Sequence, residues 1–458
     1  MSLCPSIHRS HRRRVIGLTL VLAWVLLLYT HLYLRQTSNE LWVSHWSQRV
    51  TDRSDRATDI FAIPPLDNES IREVCRQTAW NEGLVFTCNE SYGGIGNIRN
   101  SVLHCIRYAI QAGASLVLPR IVLRSARAIQ LIETGQTGDF SYMFDTPHFM
   151  ESMRLSCPQM RIHMSISDIV ETSNPEEGGD LDLSLKPESL VEGDIPRTGL
   201  PDPGAWRGQF YHWLEGQVNM TDLGPSSPMI VNLKRSYMTY PVYSDGEAFA
   251  LSFASILQFR NDTRILATNA LKRLVKQFSL PVDISWDILP NAFFGAHLRT
   301  ELDSRFAWPG NYWFYSHYRS QVDVYLKQAP RSKPTVIYVA SGDHAETARF
   351  AADAARVPAP GNYTVVTKSD LLSGADLEAL EALTFDQQAL VDYLVLLKAS
   401  DFAGVAHSSF AWSIALKRHQ YATRKTDYLD APEMLDDDLS KVYGTVRDFG
   451  DYPKVLWP

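Results

Sequence analysis

The sequence lacks an excess of positive charge, and it carries no recognisable metal motif. Its 458 residues include 44 Lys and Arg against 51 Asp and Glu, a net charge of −7. Nucleic-acid-binding domains need a basic face, so this balance gives no support for one. No H-E-x-x-H, C-x-x-C or G-x-x-x-x-G-K-[ST] pattern occurs, and the acidic runs at 180–182 and 436–438 do not follow an apolar strand. We therefore expect no metal cofactor. If the chain catalyses a group transfer, arginine side chains and helix termini would have to stabilise the leaving group in place of a metal ion.

Cysteine is also scarce, with five residues in the whole chain. Cys4 lies before the long apolar segment described next, which leaves an even set of four after it. In an oxidising compartment four cysteines suggest two disulfides, with three possible connectivities. We expect Cys75–Cys88 and Cys105–Cys157, and four buried free thiols are the alternative.

One segment, 15–34, has no charged residue over a length that matches a bilayer core. Four arginines precede it and only Arg35 follows closely, so the positive-inside rule places the short tail in the cytosol. A cleaved signal peptide is the alternative, but its apolar region is usually shorter and is followed by small residues. We expect a single-pass type II protein of the Golgi or ER membrane with a lumenal body. Sequons for N-glycosylation all follow the segment, at Asn68, Asn89, Asn219, Asn261 and Asn362.

Length and composition indicate a globular body with more than one domain. Apolar residues make up 45% and charged residues 21%, and 458 residues exceed one ordinary core. The predicted organisation is a cytosolic tail at 1–14, an anchor at 15–34, a stem at 35–78, a first Rossmann-like domain at 79–288 with an acidic surface or mobile loop at 171–205, a second Rossmann-like domain at 289–435, and a C-terminal tail at 436–458.

Strand and helix patterns alternate in both predicted domains. "GLVFTC" and "SLVLP" indicate buried strands on either side of a glycine-rich turn and a helical pattern at 98–112 that Gly113 ends. After Asn291, apolar strands again alternate with helical patterns. The sequence therefore predicts an α/β fold with two doubly wound parallel sheets facing a cleft. Such a pair suits a nucleotide-sugar transferase, a two-domain dehydrogenase or a periplasmic-type binding protein.

Two polar groups follow predicted strands in this pattern. In "GAHLRTELD", His297 and Arg299 share one face at the carboxyl end of a strand, where ligands of open α/β sheets bind. The arginine offers a fixed fork of donors suited to a diphosphate, and solvated charges at a strand end are the alternative. Ser408 and Ser409 open a later helix, where hydroxyl and N–H groups suit a phosphate or serve as an ordinary cap.

The glycine loop "GGIGNIRN" also stands between a strand and a helix, where N–H groups can approach an anion. Arg99 occupies the place of the third glycine of a dinucleotide fingerprint, so that motif fails. A tight turn that needs glycine is the alternative explanation. Elsewhere Asp392 lies inside an apolar helix, as a partner for neighbouring donors or for a ligand.

Together the G-x-G-N turn, the H-x-R strand, the "YVASGD" strand, the Asp-bearing helix and the S-S-F helix start resemble the GDP-fucose-dependent O-fucosyltransferase superfamily, which includes the α1,6-fucosyltransferases. The resemblance covers roughly 83–120 and 290–420. It implies a GT-B fold with the donor between two Rossmann-like domains, inversion at the sugar carbon and no metal. We expect the first domain to be the acceptor side and the second to bind the GDP-sugar. The resemblance also implies donor contacts, with guanine recognised by the helix Asp, at Gly94, Gly96, Asn97, His297, Arg299, Asp343, Asp392, Ser408, Ser409 and Phe410.

The chain departs from that family at two places. Thr300 replaces the second arginine of an H-x-R-R pattern, and the glycine loop has Ile95 and Asn97 where some members carry a catalytic Glu. We expect Arg299 and Glu301 to be catalytic, Glu301 as general base. Asp303 could serve as the base instead, or departure of the diphosphate could lead and the acceptor proton leave later. In a further alternative, Glu301 and Asp303 only orient the arginine. The predicted function is transfer of fucose from GDP-fucose to a protein or glycan hydroxyl. The alternatives are another nucleotide sugar or an inactive lumenal binding protein of the same fold.

Overall fold

The computed structural model of the protein describes residues 59–125, 128–170, 183–307, 313–332, 335–358, 362–425, 435–444 and 452–458. Residues 1–58 are not among them, so three predicted segments lie wholly or mostly outside the described residues. These are the cytosolic tail at 1–14, the anchor at 15–34 and most of the stem at 35–78. Among the residues described, none of the helices combines the length and apolar character that a bilayer crossing requires. Ile60–Pro458 forms one compact unit, and it contains two five-stranded sheets.

Strands and helices alternate along most of this unit. The strands are β1 Leu84–Thr87, β2 Ser115–Val117, β3 Ile121–Val122, β4 Thr137–Gly138, β5 Ile162–His163, β6 Leu183–Leu185, β7 Met229–Leu233, β8 Phe294–His297, β9 Val336–Ala340, β10 Thr364–Val366, β11 Asp401–Val405 and β12 Ser440–Tyr443. The helices are α1 Glu69–Gln77, α2 Ile95–Ala112, α3 Thr146–Ser156, α4 Ser167–Val170, α5 Trp206–Glu215, α6 Glu247–Phe253, α7 Asn261–Gln277, α8 Leu302–Ala307, α9 Tyr318–Gln328, α10 His344–Ala354, α11 Lys368–Leu371, α12 Ala375–Glu381, α13 Phe385–Leu397, α14 Ser409–His419 and α15 Tyr452–Val455.

The first sheet has the order β5-β2-β1-β7-β6, and its strands pair in parallel. β1 lies at its centre, and all four of its residues are buried. Continuous apolar strands of this kind are typical of parallel sheets with helices on both faces. Gly113 ends α2 with a φ of 74°, a left-handed conformation that glycine adopts without strain. The predicted strand–turn–helix–strand unit is therefore confirmed. We call the part built on this sheet, 84–233, the first lobe.

The second sheet has the order β10-β9-β8-β11-β12, again with parallel pairing throughout. Its central strand β8 is fully buried, as are all the residues of β9. The part built on this sheet, 294–443, is the second lobe. Two parallel sheets with intervening helices confirm the predicted α/β fold class.

The C-terminal residues do not form the predicted tail at 436–458. β12 extends the second sheet, and Trp457 is fully buried against the first lobe. The Trp457 N–H donates to Asn100 Oδ1 at 3.1 Å, and its carbonyl accepts from Arg99 at 2.7 Å. The apolar residues of this segment bury their surface in the core, so it belongs to the body.

Two other predicted boundaries need correction. The stem was predicted to reach residue 78, yet α1 belongs to the body, because Ile71 and Cys75 are fully buried in its core. The acidic loop at 171–205 was predicted to be irregular, yet Leu183–Leu185 forms the edge strand β6 beside β7. Residues 171–182 lie outside the described residues.

The predicted disulfide connectivity is wrong, although two disulfides are present. Cys75 bonds to Cys157, with Cα atoms 5.5 Å apart, because α1 packs against α3. Cys88 bonds to Cys105, with Cα atoms 6.4 Å apart, because α2 folds back over the strand that precedes it. The packing of the helices decides which sulfurs come close enough to bond.

Candidate functional site

The predicted site residues follow two strands at equivalent places in the fold. β1 and β8 are the strands from which the order of each sheet runs in both directions. Ligands of open parallel sheets bind beyond the carboxyl ends of such strands. The glycine loop follows β1, and Arg299 follows β8. The fold therefore puts both predicted motifs at the ligand-binding edges of their sheets.

The beginnings of α2 and α14 are in direct contact. A Cβ atom at Gly96 would lie 2.5 Å from the backbone carbonyl of Ser409, and Ser409 Oγ donates to Asn97 Oδ1 at 2.5 Å. Ser408 caps α14 with its own side chain, whereas Gly94 precedes α2 and offers no side chain as a cap. Within the part of the chain that the structure describes, the N-cap residue of α2 thus supplies no side-chain acceptor to the first N–H groups of the helix. The structure brings both predicted anion-binding turns together.

His297 is buried at the end of β8. Its Nε2 lies 3.1 Å from Ser408 Oγ, and its ring centroid lies 4.5 Å from that of Phe410. Burial lowers the pKa of His297 to about 4, because the charged imidazolium loses its hydration. The imidazole is therefore neutral at cellular pH, and it can orient a hydroxyl or a ligand oxygen without adding charge.

Arg299 is held by two carboxylates and by its own backbone. Its Nη1 donates to Glu301 Oε2 at 2.7 Å, and its two Nη atoms bond to the two oxygens of Asp303 at 2.8 Å each. The backbone N–H and carbonyl both bond to the side chain of Gln321 at 2.9 Å. Fork-to-fork pairing fixes the guanidinium plane. Arg299 is therefore a pre-oriented cation at the edge of the second sheet.

Glu301 and Asp303 are bound to this arginine in different ways. Glu301 is 5% exposed, and its Oε1 also accepts from the Gly342 N–H at 2.7 Å. Burial raises the pKa of Glu301, but the charge of Arg299, the neighbouring His297 and the hydrogen bonds from Gly342 and Arg299 together leave the pKa below its ordinary value. Burial also raises the pKa of Asp303. The hydrogen bonds and charges of Arg299 and Arg124 outweigh burial and lower this pKa to about 2. Of the two roles left open, this geometry favours orientation of Arg299 over proton abstraction.

Two other predicted carboxylates are bonded within the second lobe. Asp392 is buried, and it accepts from Tyr338 Oη at 2.7 Å and from Lys368 Nζ at 2.6 Å. Burial raises its pKa although Lys368 opposes the shift. Asp343 caps α10 by accepting from the backbone N–H of residue 346 at 2.9 Å. Asp343 is therefore an ordinary helix cap, whereas Asp392 is a buried acid that its neighbours hold in place.

Sequence reasoning missed Arg124 and Asp386, which join the two lobes. Arg124, in the first lobe, donates from Nη1 to Asp303 Oδ2 at 3.0 Å, and its Nε lies 3.2 Å from Asp386 Oδ1. Burial raises the pKa of Asp386 to about 6, although Arg124 opposes the shift. Arg124 follows the short strand β3 in a segment without a motif, so no sequence signal marked it.

His407 was also missed, although it directly precedes the predicted serines. Its Nε2 lies 3.3 Å from Ser304 Oγ, and burial together with Arg299 lowers its pKa to about 3. The position was readable, because the residue belongs to the same strand-to-helix turn as Ser408. A second neutral imidazole thus supports the site.

A cavity of about 430 Å³ opens elsewhere, near the amino-terminal ends of β8 and β11. Its lining includes Asp401, Arg424 and Asp437 and none of the predicted donor contacts. Two of the predicted donor contacts, Asn97 and Ser409, instead bond to each other across the lobes. In the part of the chain that the structure describes, no three His, Cys, Asp or Glu side chains are grouped to hold a metal ion.

Comparison with known proteins gives structural matches only. No protein-family model and no curated protein sequence matches the chain. POFUT1 in complex with GDP aligns at a TM-score of 0.45 and 12% identity, covering 80% of this chain and 99% of that chain. A mutant of FUT1 from Arabidopsis thaliana in complex with GDP aligns at 0.36 and 11%, covering 76% and 71%. Fucosyltransferase NodZ from Bradyrhizobium aligns at 0.36 and 15%, covering 74% and 92%. Identities this low leave the activity to be inferred from the chemistry of the site.

Proposed function

We propose that the chain is a GT-B glycosyltransferase that transfers fucose from GDP-fucose to a hydroxyl of a protein or glycan. The observation that carries this proposal is that the starts of α2 and α14 meet at the carboxyl ends of two parallel sheets, and that Arg299 is linked to the same region through Asp303, which also accepts from Arg124 beside Gly94. A guanidinium fork and helix N-termini are the groups that bind a diphosphate without a metal ion. The motif order that resembles fucosyltransferases specifies the sugar and the nucleotide.

In the proposed reaction the acceptor oxygen bonds to C1 of fucose on the face opposite the diphosphate. The bond from C1 to the diphosphate oxygen breaks, its electron pair leaves with GDP, and the configuration at C1 inverts. Arg299 stabilises the charge that develops on the leaving group, because its fork is already oriented by Glu301 and Asp303. The acceptor proton passes to water after the diphosphate begins to depart, since both carboxylates are engaged with Arg299.

The remaining contacts position the donor in this proposal. His297 and Ser408 form a neutral hydrogen-bonding pair beside the diphosphate. Asp392 recognises guanine by accepting from N1–H and N2–H. Its two oxygens bond to Tyr338 and Lys368 in this structure, so guanine binding requires those bonds to be shared or exchanged.

We further propose that residues 15–34 anchor the protein in a Golgi or ER membrane, with the described body in the lumen. Two disulfides support an oxidising compartment, because thiols of cytosolic proteins are kept reduced. The five sequons after the apolar segment support the same side of the membrane.

The test is nucleotide release by the purified chain from GDP-fucose, GDP-mannose and UDP-galactose, with EDTA added in a parallel reaction. GDP-fucose is expected to be consumed fastest, at an unchanged rate in EDTA, and the sugar released to an acceptor or to water should have inverted configuration. Faster consumption of either other donor contradicts the sugar assignment. Strong inhibition by EDTA contradicts the metal-free mechanism, and no turnover of any donor leaves an inactive binding protein.

A further inference from the structure

Arg124 is the one residue of the first lobe that reaches the carboxylates around Arg299 by an ion pair in the described chain. Its side chain is only 6% exposed, and it belongs to neither motif of the sequence. A buried arginine usually has a full set of acceptors, because an unpaired guanidinium loses its hydration without compensation. The contacts of Arg124 fall short of that.

The bonds that Arg124 makes leave part of its guanidinium unused. Nη1 donates to Asp303 Oδ2 at 3.0 Å and to the carbonyl of Ile129 at 2.7 Å. Nε is buried and has no hydrogen-bond partner of acceptable geometry, although Asp386 lies 3.2 Å away. The guanidinium therefore retains donor capacity that the described residues do not satisfy.

Space for an acceptor exists beside Gly94. Among the described residues, a Cβ atom built on Gly94 would have one neighbour within 4 Å, which is Arg124 Nη2 at 3.8 Å. The start of α2 at this point has no side-chain cap. A cation at a helix N-terminus faces the positive end of the helix dipole, which is unfavourable unless an anion lies between them. Arg124 Nη2 and the start of α2 thus face the same space beside Gly94.

Arg299 is the second arginine that bonds to Asp303. Asp303 Oδ2 accepts from Arg299 Nη2 at 2.8 Å and from Arg124 Nη1 at 3.0 Å, so the two guanidinium groups are neighbours on a single oxygen. Asp303, Glu301 and Asp386 balance the two guanidinium groups in this structure, so a bound phosphate must take the place of part of this carboxylate pairing. An anion with several oxygens, such as a diphosphate, can bond to both forks.

We infer that Arg124 is a second donor contact, supplied by the first lobe, which binds the sugar-bearing phosphate of the nucleotide together with Arg299. The inference rests on the proposed function. The sugar-bearing phosphate is assigned because the first lobe is the proposed acceptor side, toward which the sugar points. Asp386 acts as the counter-ion of Arg124 when no donor is bound. Burial raises the pKa of Asp386 to about 6, so this carboxyl becomes neutral readily when a phosphate takes its place.

The experiment measures binding of GDP and of GMP to the full chain by titration calorimetry, in the wild type and in Arg124→Gln, Arg124→Lys and Arg120→Gln. Arg120 is the matched control, because it precedes β3 in the same segment and pairs with Asp139 at 3.0 Å outside the site. Loss of one charge-assisted contact should weaken GDP binding by about 10- to 100-fold in Arg124→Gln. GMP lacks the sugar-bearing phosphate, so its affinity should change by less than about threefold. Arg120→Gln should bind both nucleotides as the wild type does.

The outcomes separate this inference from the proposed function. Wild-type protein that binds no GDP overturns both. Wild-type protein that binds GDP, with Arg124→Gln equal to it, overturns the inference alone. Equal weakening of GDP and GMP also overturns it, because that is the signature of a structural role. If Arg124→Gln does not fold, Arg124→Lys keeps the charge beside Asp303 without the fork, and it should still weaken GDP selectively by about tenfold.

Discussion

Replacing Arg299 by glutamine should destabilise the protein as well as prevent donor binding. The variant loses one bond to Glu301 and two to Asp303, all between 2.7 and 2.8 Å. Asp303 keeps Arg124, but Glu301 is 5% exposed and is left as a buried carboxylate without its cation. Breaking a buried pair from one side typically costs about 3–5 kcal/mol, a large part of a total stability of about 5–15 kcal/mol.

The double variant Arg299→Gln, Glu301→Gln isolates this effect. It removes both charges, and the new amide oxygen at 301 can still accept from the Gly342 N–H. We expect it to recover most of the lost free energy of unfolding, to within about 1–2 kcal/mol of the wild type, while GDP binding stays absent. Urea denaturation of residues 60–458 measures the first quantity and calorimetry the second. The ion-pair assignment is refuted if Arg299→Gln is as stable as the wild type, or if the double variant is no more stable than the single one.

Further predictions concern packing and pH. Gly96→Ala places a Cβ atom 2.5 Å from the Ser409 backbone, so it should force α2 and α14 apart, costing about 1–3 kcal/mol in denaturation and weakening GDP binding; wild-type affinity contradicts this contact. Asp386 has a raised pKa of about 6, so its contribution to stability is full below pH 4 and is lost as the pH rises through 6. Asp386→Asn should therefore increase the free energy of unfolding by up to about 3 kcal/mol at pH 7 and by little at pH 4. An equal effect at both pH values contradicts the shift. His297 has a lowered pKa of about 4, so its contribution to stability is present above pH 6.5 and is lost as the pH falls toward 4. In His297→Gln, the fall in the free energy of unfolding between pH 6.5 and pH 4 should be smaller by about 3 kcal/mol. An unchanged fall contradicts a neutral buried imidazole.

The strands that carry the site were predictable because their residues are buried on both faces. "FFGAH" and "DFAGV" are continuous apolar runs, and they became adjacent central strands of one parallel sheet. Their position also placed His297 beside Ser408, since parallel strands bring their carboxyl ends to one edge. Local pattern and sheet topology were enough for this part of the site.

Arg124 and the disulfides depend on information that a linear pattern does not contain. The ion pairs of Arg124 join segments far apart in the chain, and they arise only when the lobes meet. Cys75 meets Cys157 through the packing of α1 on α3, which spacing does not encode. Glu301 and Asp303 alternate as they would on a strand, yet the chain has left β8 by residue 298, so both carboxylates reach Arg299 from the following turn and helix.

The measurement closest to the central claim is thermal unfolding of residues 60–458 with GDP and with UDP at equal concentrations. A ligand at 100 times its Kd stabilises the folded state by about 2.7 kcal/mol, which raises the unfolding temperature measurably. The account predicts that GDP raises this temperature and UDP does not, because it assigns guanine recognition to Asp392 and diphosphate binding to the arginines. Equal stabilisation by both nucleotides, or by neither, contradicts a GDP-sugar site at Arg299.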